Sequence, residues 1–265
     1  MKIKGQPVWV LFSIITVVCL CLLLTGFLIA LKDSSGASSS SSVEKSATPE
    51  KGTTGNKTLF LALGDSLTRG TGDSSGQGYV SRVRQTLQKN ETSVNVVNLG
   101  IKGQTSHQLR AQIKQRRIGQ LLKEAKRISI TIGGNDLFRK GDSLETLDNQ
   151  QAIQARQAYE SNLRRILSTI RKQNRDAPIF LLGLYNPFGA LSDNKKTSAE
   201  VIKWNDSLQT IAQEFDQIVV VPIYDIFQLN PKAYLYSDDF HPNDKGYDYI
   251  AERLLQAMDQ KKKGG

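Results

Sequence analysis

The chain has 265 residues, a formal net charge of +10, two histidines and two cysteines. Both cysteines, Cys19 and Cys21, sit inside one apolar stretch near the N-terminus, so the rest has no disulfide and must be held by a core that its length permits. Basic residues form no stripe interleaved with aromatics, which argues against a nucleic-acid surface, and two histidines without an accessible cysteine leave no recognisable metal-ligand set.

Residues 8–31 run for 24 positions without a charge, behind Lys2 and Lys4. A secretory apolar region needs about 7–15 residues and a bilayer span about 20, so this stretch is long enough to cross. Leading lysines predict the N-terminus in the cytoplasm and the remainder outside. No small-x-small cleavage site is clear, the nearest being Ser35-Gly36-Ala37, so an uncleaved anchor is expected and a removed signal peptide is the alternative. Residues 32–57, with serine unbroken from Ser38 to Ser42, bury too little to offset their ordering entropy and read as a flexible tether. Residues 1–58 hold six Lys and three Asp or Glu, leaving +7 of the total for the rest; Lys261, Lys262 and Lys263 in the tail 261–265 supply three of these. The basic exterior reads as solvated surface, with anionic lipid headgroups or acidic wall polymers as the partners it would favour.

The domain at 58–260 opens with TLFLALGDSLTRG. The apolar run Leu59–Leu63 predicts a strand buried on both faces, broken by Gly64-Asp65-Ser66. Gly-Asp-Ser alone is equally the composition of a turn. A helix is expected at 77–89, a strand at 94–99 ending at Gly100, and a helix over 105–123. RISITI at 127–132 predicts a third strand, ending in Gly133-Gly134-Asn135-Asp136. Polar sequence at 137–149 predicts a rim loop, 150–173 a long amphipathic helix, and PIFLLGL at 178–184 a fourth strand followed by a loop at 186–198. A helix at 199–215, a fifth strand at 218–222 and a last helix at 243–258 complete the pattern. Strands alternating with helices imply a parallel sheet covered on both faces, with ligands beyond the carboxyl ends of the strands.

Those ends carry Ser66, Gly100, Asn135 and Asn186. A serine at a strand tip is a nucleophile only with a base, because a free hydroxyl reacts poorly at neutral pH. His241 precedes the last helix, and Asp238, three residues earlier, can reach its Nδ1; Asp239 is the alternative partner. His107 has Gln104 in the equivalent position and reads as a surface or cap residue. The Ser66 and Gly100 N–H groups and the Asn135 amide are the candidate donors for an oxyanion. The glycine-rich run 64–78 lacks the Gly-Lys-Ser/Thr ending of a P-loop. No cofactor is expected.

GDSL at 64–67, Gly100 after a strand, GGND at 133–136 and DDFHPN at 238–243 resemble the four blocks of the SGNH/GDSL hydrolase family, in order and over the whole of 58–260. The resemblance is to its bacterial lipase/acylhydrolase branch. It implies Ser66 as nucleophile, His241 as base with Asp238, and Ser66, Gly100 and Asn135 around the oxyanion. The implied fold is a three-layer α/β/α sandwich on a five-stranded parallel sheet, the flavodoxin-like SGNH fold. The expected activity is hydrolysis of acyl esters, of lipid or of acylated glycan, on the outer side of a bacterial cell membrane or after secretion. An acetyl esterase or acyltransferase on wall polysaccharide is the alternative. A non-catalytic surface module would have damage at Ser66, Asp238 or His241, and none is visible.

Overall fold

β1 (Thr58–Gly64) places Leu59, Leu61 and Leu63 on one face and Phe60 and Ala62 on the other, and all five are buried. Burial on both faces is what a strand meets inside a parallel sheet, and each large side chain so removed from water contributes about 1.5–3 kcal/mol. The computed structural model describes residues 15–25, 58–91, 93–138, 149–189, 194–228 and 230–263. β1 is an interior strand, between β2 (Val94–Gly100) and β3 (Ala125–Thr131), of a five-stranded sheet that continues to β4 (Ile179–Leu182) and β5 (Ile218–Val221), in the order β2-β1-β3-β4-β5. Every pairing is parallel.

The helices divide between the faces as the two cores require. α3 (Gly78–Asn90), α9 (Tyr224–Gln228) and α11 (Asp244–Lys263) bury Val83, Phe227 and Leu254 against Phe60 and Ala62. α4 (Ser106–Gln112), α5 (Arg116–Glu124), α7 (Asn149–Gln173) and α8 (Asn194–Ala212) bury Leu109, Leu122, Leu163 and Trp204 on the Leu61 face. The result is the three-layer α/β/α sandwich expected from the alternation. Single turns at α2 (Ser66–Arg69), α6 (Gly134–Leu137) and α10 (Pro231–Tyr234) lie in the connections.

Three helical expectations need correction, the first being that α11 does not stop at 258 but continues to Lys263, into the stretch expected as a basic tail. The pattern over 105–123 is two helices, because Leu109, Ile113, Ile118 and Leu122 are buried at intervals of four, five and four. The interval of five breaks the 3.6-residue phase, and Gln112, which ends α4, is tied back to β2 by its Nε2 donating to Leu99 O at 3.1 Å. α8 starts at Asn194, ahead of the first apolar residue that periodicity could register.

Residues 1–53 and 54–265 are separate compact units. In the first, residues 15–25 form α1, on which Leu22 and Leu23 are 67% and 71% exposed. The rest of the expected span at 8–31 and the tether at 32–57 lie outside the described residues, as do 139–148 and 190–193 of the two rim loops. Among the described residues no helix is long and apolar enough to cross a membrane.

Candidate active site

The ends of β1, β2 and β3 are level, Gly64 pairing with Gly100 on one side and Thr131 on the other. Gly64 has a φ of +134°, and a Cβ there would stand 2.1 Å from the Thr131 carbonyl oxygen, so the turn out of β1 admits only glycine. Asp65 then caps α2. Its Oδ1 accepts from the Leu67 N–H at 3.0 Å and from the Thr131 hydroxyl at 2.8 Å. Ser66 is the first residue of that turn and is 6% exposed. No acceptor among the described residues takes its N–H.

His241 comes from the opposite end of the domain sequence. Its loop is closed by Tyr236 N–H donating to His241 O at 2.7 Å and by an antiparallel bridge between Leu235 and Pro242. Asn243 fixes the loop from below, its Nδ2 donating to both Ala233 O and Leu235 O at 3.0 Å. Tyr185, just past β4, donates its hydroxyl to Phe240 O at 2.6 Å and pins the loop from the side. Held this way, His241 Nε2 stands 2.9 Å from Ser66 Oγ, and His241 Nδ1 stands 2.7 Å from Asp238 Oδ2. Asp238 Oδ1 also accepts from the Phe240 and His241 N–H groups, at 3.1 and 2.9 Å. Burial alone would raise the Asp238 carboxyl; the hydrogen bonds from His241 and the two backbone groups outweigh it and hold the acid below its usual range. Asp239, the alternative partner, takes a φ of +52° and makes no hydrogen bond to the imidazole.

Asn135 reaches the same place from the loop after β3. Its Nδ2 donates to Gln104 O at 3.0 Å and keeps a second hydrogen. Asp136 beside it accepts from the Ser106 N–H at 2.8 Å and the Ser106 hydroxyl at 2.6 Å, which locks α6 to the start of α4. Burial raises the Asp136 carboxyl against those two bonds.

Gly100 is not part of this constellation. Its N–H donates to Asn98 Oδ1 at 2.9 Å, and a Cβ there would stand 2.5 Å from the Arg69 nitrogen. Close packing of β2 against α2 accounts for this glycine. Three residues on, Gly103 lines the cleft with Ser66, Asn135 and His241, has open space above its Cα, and its N–H has no acceptor among the described residues. The second glycine of Gly100-Ile101-Lys102-Gly103 was the signal for it. Of the other expected positions, Asn186 is buried and bonded to Thr197 and Ser198, and His107 is exposed at the start of α4.

Beneath Ser66 runs a buried hydroxyl network that motif reading passed over. Thr68 Oγ1 lies 2.8 Å from both Tyr79 OH and Thr131 Oγ1, and Tyr79 OH lies 3.1 Å from Ser129 Oγ. Burial pushes Asp65 up to about 6, against the bonds from Thr131 and Leu67. Two spaces open beside Ser66. The inner, of about 40 Å³, is bounded by Phe138, Leu184, Tyr185, Pro187 and Phe240; the outer, of about 480 Å³, is bounded by Lys102, Gly103, Phe188 and Asp239. Among the described residues, no group of three or more His, Cys, Asp or Glu side chains is arranged to hold a metal ion.

The profile of the GDSL-like Lipase/Acylhydrolase family matches residues 62–249, a range that contains every residue of this constellation. The Bacillus subtilis (strain 168) protein YpmR is 34% identical over 212 residues, covering 78% of this chain and 82% of that one. Among solved structures, the lipase Lip_vut3 from a goat rumen metagenome is similar with a TM-score of 0.66 and 29% identity, over 76% of this chain and 97% of that one. The acetylxylan esterase Axe2 from Geobacillus stearothermophilus is similar with a TM-score of 0.61 and 26% identity, over 76% of this chain and 93% of that one. The chain belongs to the GDSL-like lipase/acylhydrolase family of carboxylic ester hydrolases.

Proposed function

We propose that this esterase works through an acyl-enzyme on Ser66, with His241 as base, Asp238 as its partner, and the Ser66 N–H, Gly103 N–H and Asn135 Nδ2 as oxyanion donors. The observation that carries the reading is the unbroken chain of bonds from Asp238 Oδ2 through the imidazole to Ser66 Oγ. The carboxylate fixes the tautomer with a proton on Nδ1, leaving Nε2 to accept the hydroxyl proton as Oγ attacks the ester carbonyl. The tetrahedral oxyanion forms among the three donors, each typically worth about 3–4 kcal/mol in the transition state. Collapse breaks the bond to the alcohol, which leaves with the proton held on Nε2. Water, deprotonated by the same nitrogen, then releases the acid and restores Ser66.

The alcohol is that of a lipid or of an acylated glycan, and each alternative has a solved relative of matching type. The proposed location is the outer face of a membrane, the N-terminal segment acting as anchor or as a removed signal. Support comes from the uncharged length of 8–31, the lysines before it and the exposed leucines of α1. The test of the chemistry is turnover of p-nitrophenyl acetate: Ser66→Ala lowers kcat/KM by roughly 10³ or more, with the fold intact by circular dichroism. Retained turnover removes Ser66 from the mechanism.

A further inference from the structure

Two unequal spaces meet at Ser66, and an ester with its carbonyl on the Ser66 hydroxyl can place its acyl part in one and its alcohol part in the other. The inner space measures about 40 Å³. One water needs roughly 10–15 Å³ of such space, so it has room for about three water-sized groups. An acetyl group fits there and an octanoyl chain does not. The outer space, about 480 Å³, is in the range that holds a whole small ligand.

The inner wall is built to stay small. Phe138 is 3% exposed and packs edge-on against Phe188 at 5.3 Å and Phe240 at 5.8 Å between ring centroids. Phe240 is itself pinned through its carbonyl by Tyr185. Widening the pocket would mean displacing Phe138 from this aromatic trio and losing both edge-on contacts. The outer cleft is mixed in character: Phe188 and Phe240 give it apolar walls, while Lys102 and Asp239, both exposed, supply a cation and an anion at its edge that can hydrogen-bond to hydroxyls.

We infer that the substrate is a short-chain ester, acetyl in the first instance, of a hydroxyl-rich alcohol such as a sugar, with the acyl group in the pocket walled by Phe138 and the alcohol in the cleft edged by Lys102 and Asp239. This rests on the acyl-enzyme reading above. The acyl group stays on Ser66 while the alcohol departs and water replaces it, so the roomier, open side is the one that suits the leaving group. The balance is ester plus water to acetate plus free hydroxyl, with no further reactant.

The experiment is a chain-length profile on the full protein with p-nitrophenyl acetate, butyrate and octanoate, together with acetate release from peracetylated glucose. The expected result is a kcat/KM for acetate at least 100-fold above octanoate, with acetate released from the sugar. Phe138→Ala should reduce the acetate-to-octanoate ratio at least tenfold, and the wild-type profile decides alone if that variant does not fold. Octanoate turned over as fast as acetate overturns the inference while leaving the esterase reading intact, as does a folded Phe138→Ala variant with an unchanged ratio. Acetate preference without release from the sugar overturns the assignment of the outer cleft. No turnover of any ester by the folded protein, with Ser66 unreactive, overturns both readings together.

Discussion

Burial drives the Asp65 carboxyl from 3.8 up to about 6, against hydrogen bonds from Thr131 and Leu67 that pull it down. On the far side of Ser66 the bonds around Asp238 win instead, and that acid ionises more readily than usual. The two consequences have opposite sign. Asp238 contributes stability that is present at neutral pH and lost as pH falls through its lowered folded value. Asp65 binds its proton more tightly folded than unfolded, so stability falls as pH rises from about 4 to about 6, by about 3 kcal/mol for a difference of that size. Asp65→Asn keeps an acceptor oxygen for Leu67 and Thr131 and removes the titration. Thermal melts at pH 4.5 and 7.5 should show the variant gaining on the wild type at the higher pH; a pH-independent difference would contradict the assignment. Asp238→Asn leaves the geometry but loses the charge that fixes the imidazole, and should lower kcat/KM by about 10³ or more with little change in melting temperature. That Ser66, Asp238, His241 and Asn135 come together was legible because each stands out by its side chain. Gly100 was not, since a glycine shows neither whether its N–H is free nor which backbone lies against it: Asn98 occupies that N–H, and the α2 backbone explains the missing side chain.

Between elements, Arg82 joins the segment carrying Ser66 to the helix that follows His241, alongside the Ser74 bonds to Asp244 and the Tyr247 hydroxyl donating to Thr71 O. Arg82 on α3 pairs with Asp73 at 3.1 Å and Asp248 at 2.5 Å, and its Nη2 also donates to Asp244 O at 3.3 Å. The Asp73 side chain is fully buried, and although burial opposes its ionisation, bonds from Arg82, Ser75 and Gly78 hold it well below the usual range. Removing Arg82 leaves that carboxylate short of its counter-charge, which costs about 3 kcal/mol. Arg82→Met is therefore expected to lower the melting temperature by several degrees and to reduce kcat more than it raises KM, since Ser66 and His241 lose a shared support. An unchanged melting temperature would show that the clamp is a solvated surface pair. The strands were readable from their apolar runs because a parallel sheet buries both faces. The short turns α9 and α10 were not, because four or five residues carry too little periodicity to register.

At the scale of the whole molecule, every group of the site falls within 54–265, one of the two compact units. Residues 58–265 alone should hydrolyse p-nitrophenyl acetate with a kcat/KM within about threefold of the full chain. A much larger loss would mean that the first 57 residues support the site. The α/β architecture could be read from the alternation of strands and helices. The separation of the two spaces beside Ser66 could not, because it depends on how Phe138, Phe188 and Phe240, 102 positions apart at their extremes, meet in three dimensions. If Ser66 is a nucleophile made reactive by His241, exposing the folded protein to a fluorophosphonate and mapping its peptides by mass will show it. The expected result is a single adduct on Ser66, forming at least 100-fold more slowly in His241→Ala. An adduct elsewhere, no adduct on Ser66, or the same rate without His241 would contradict it.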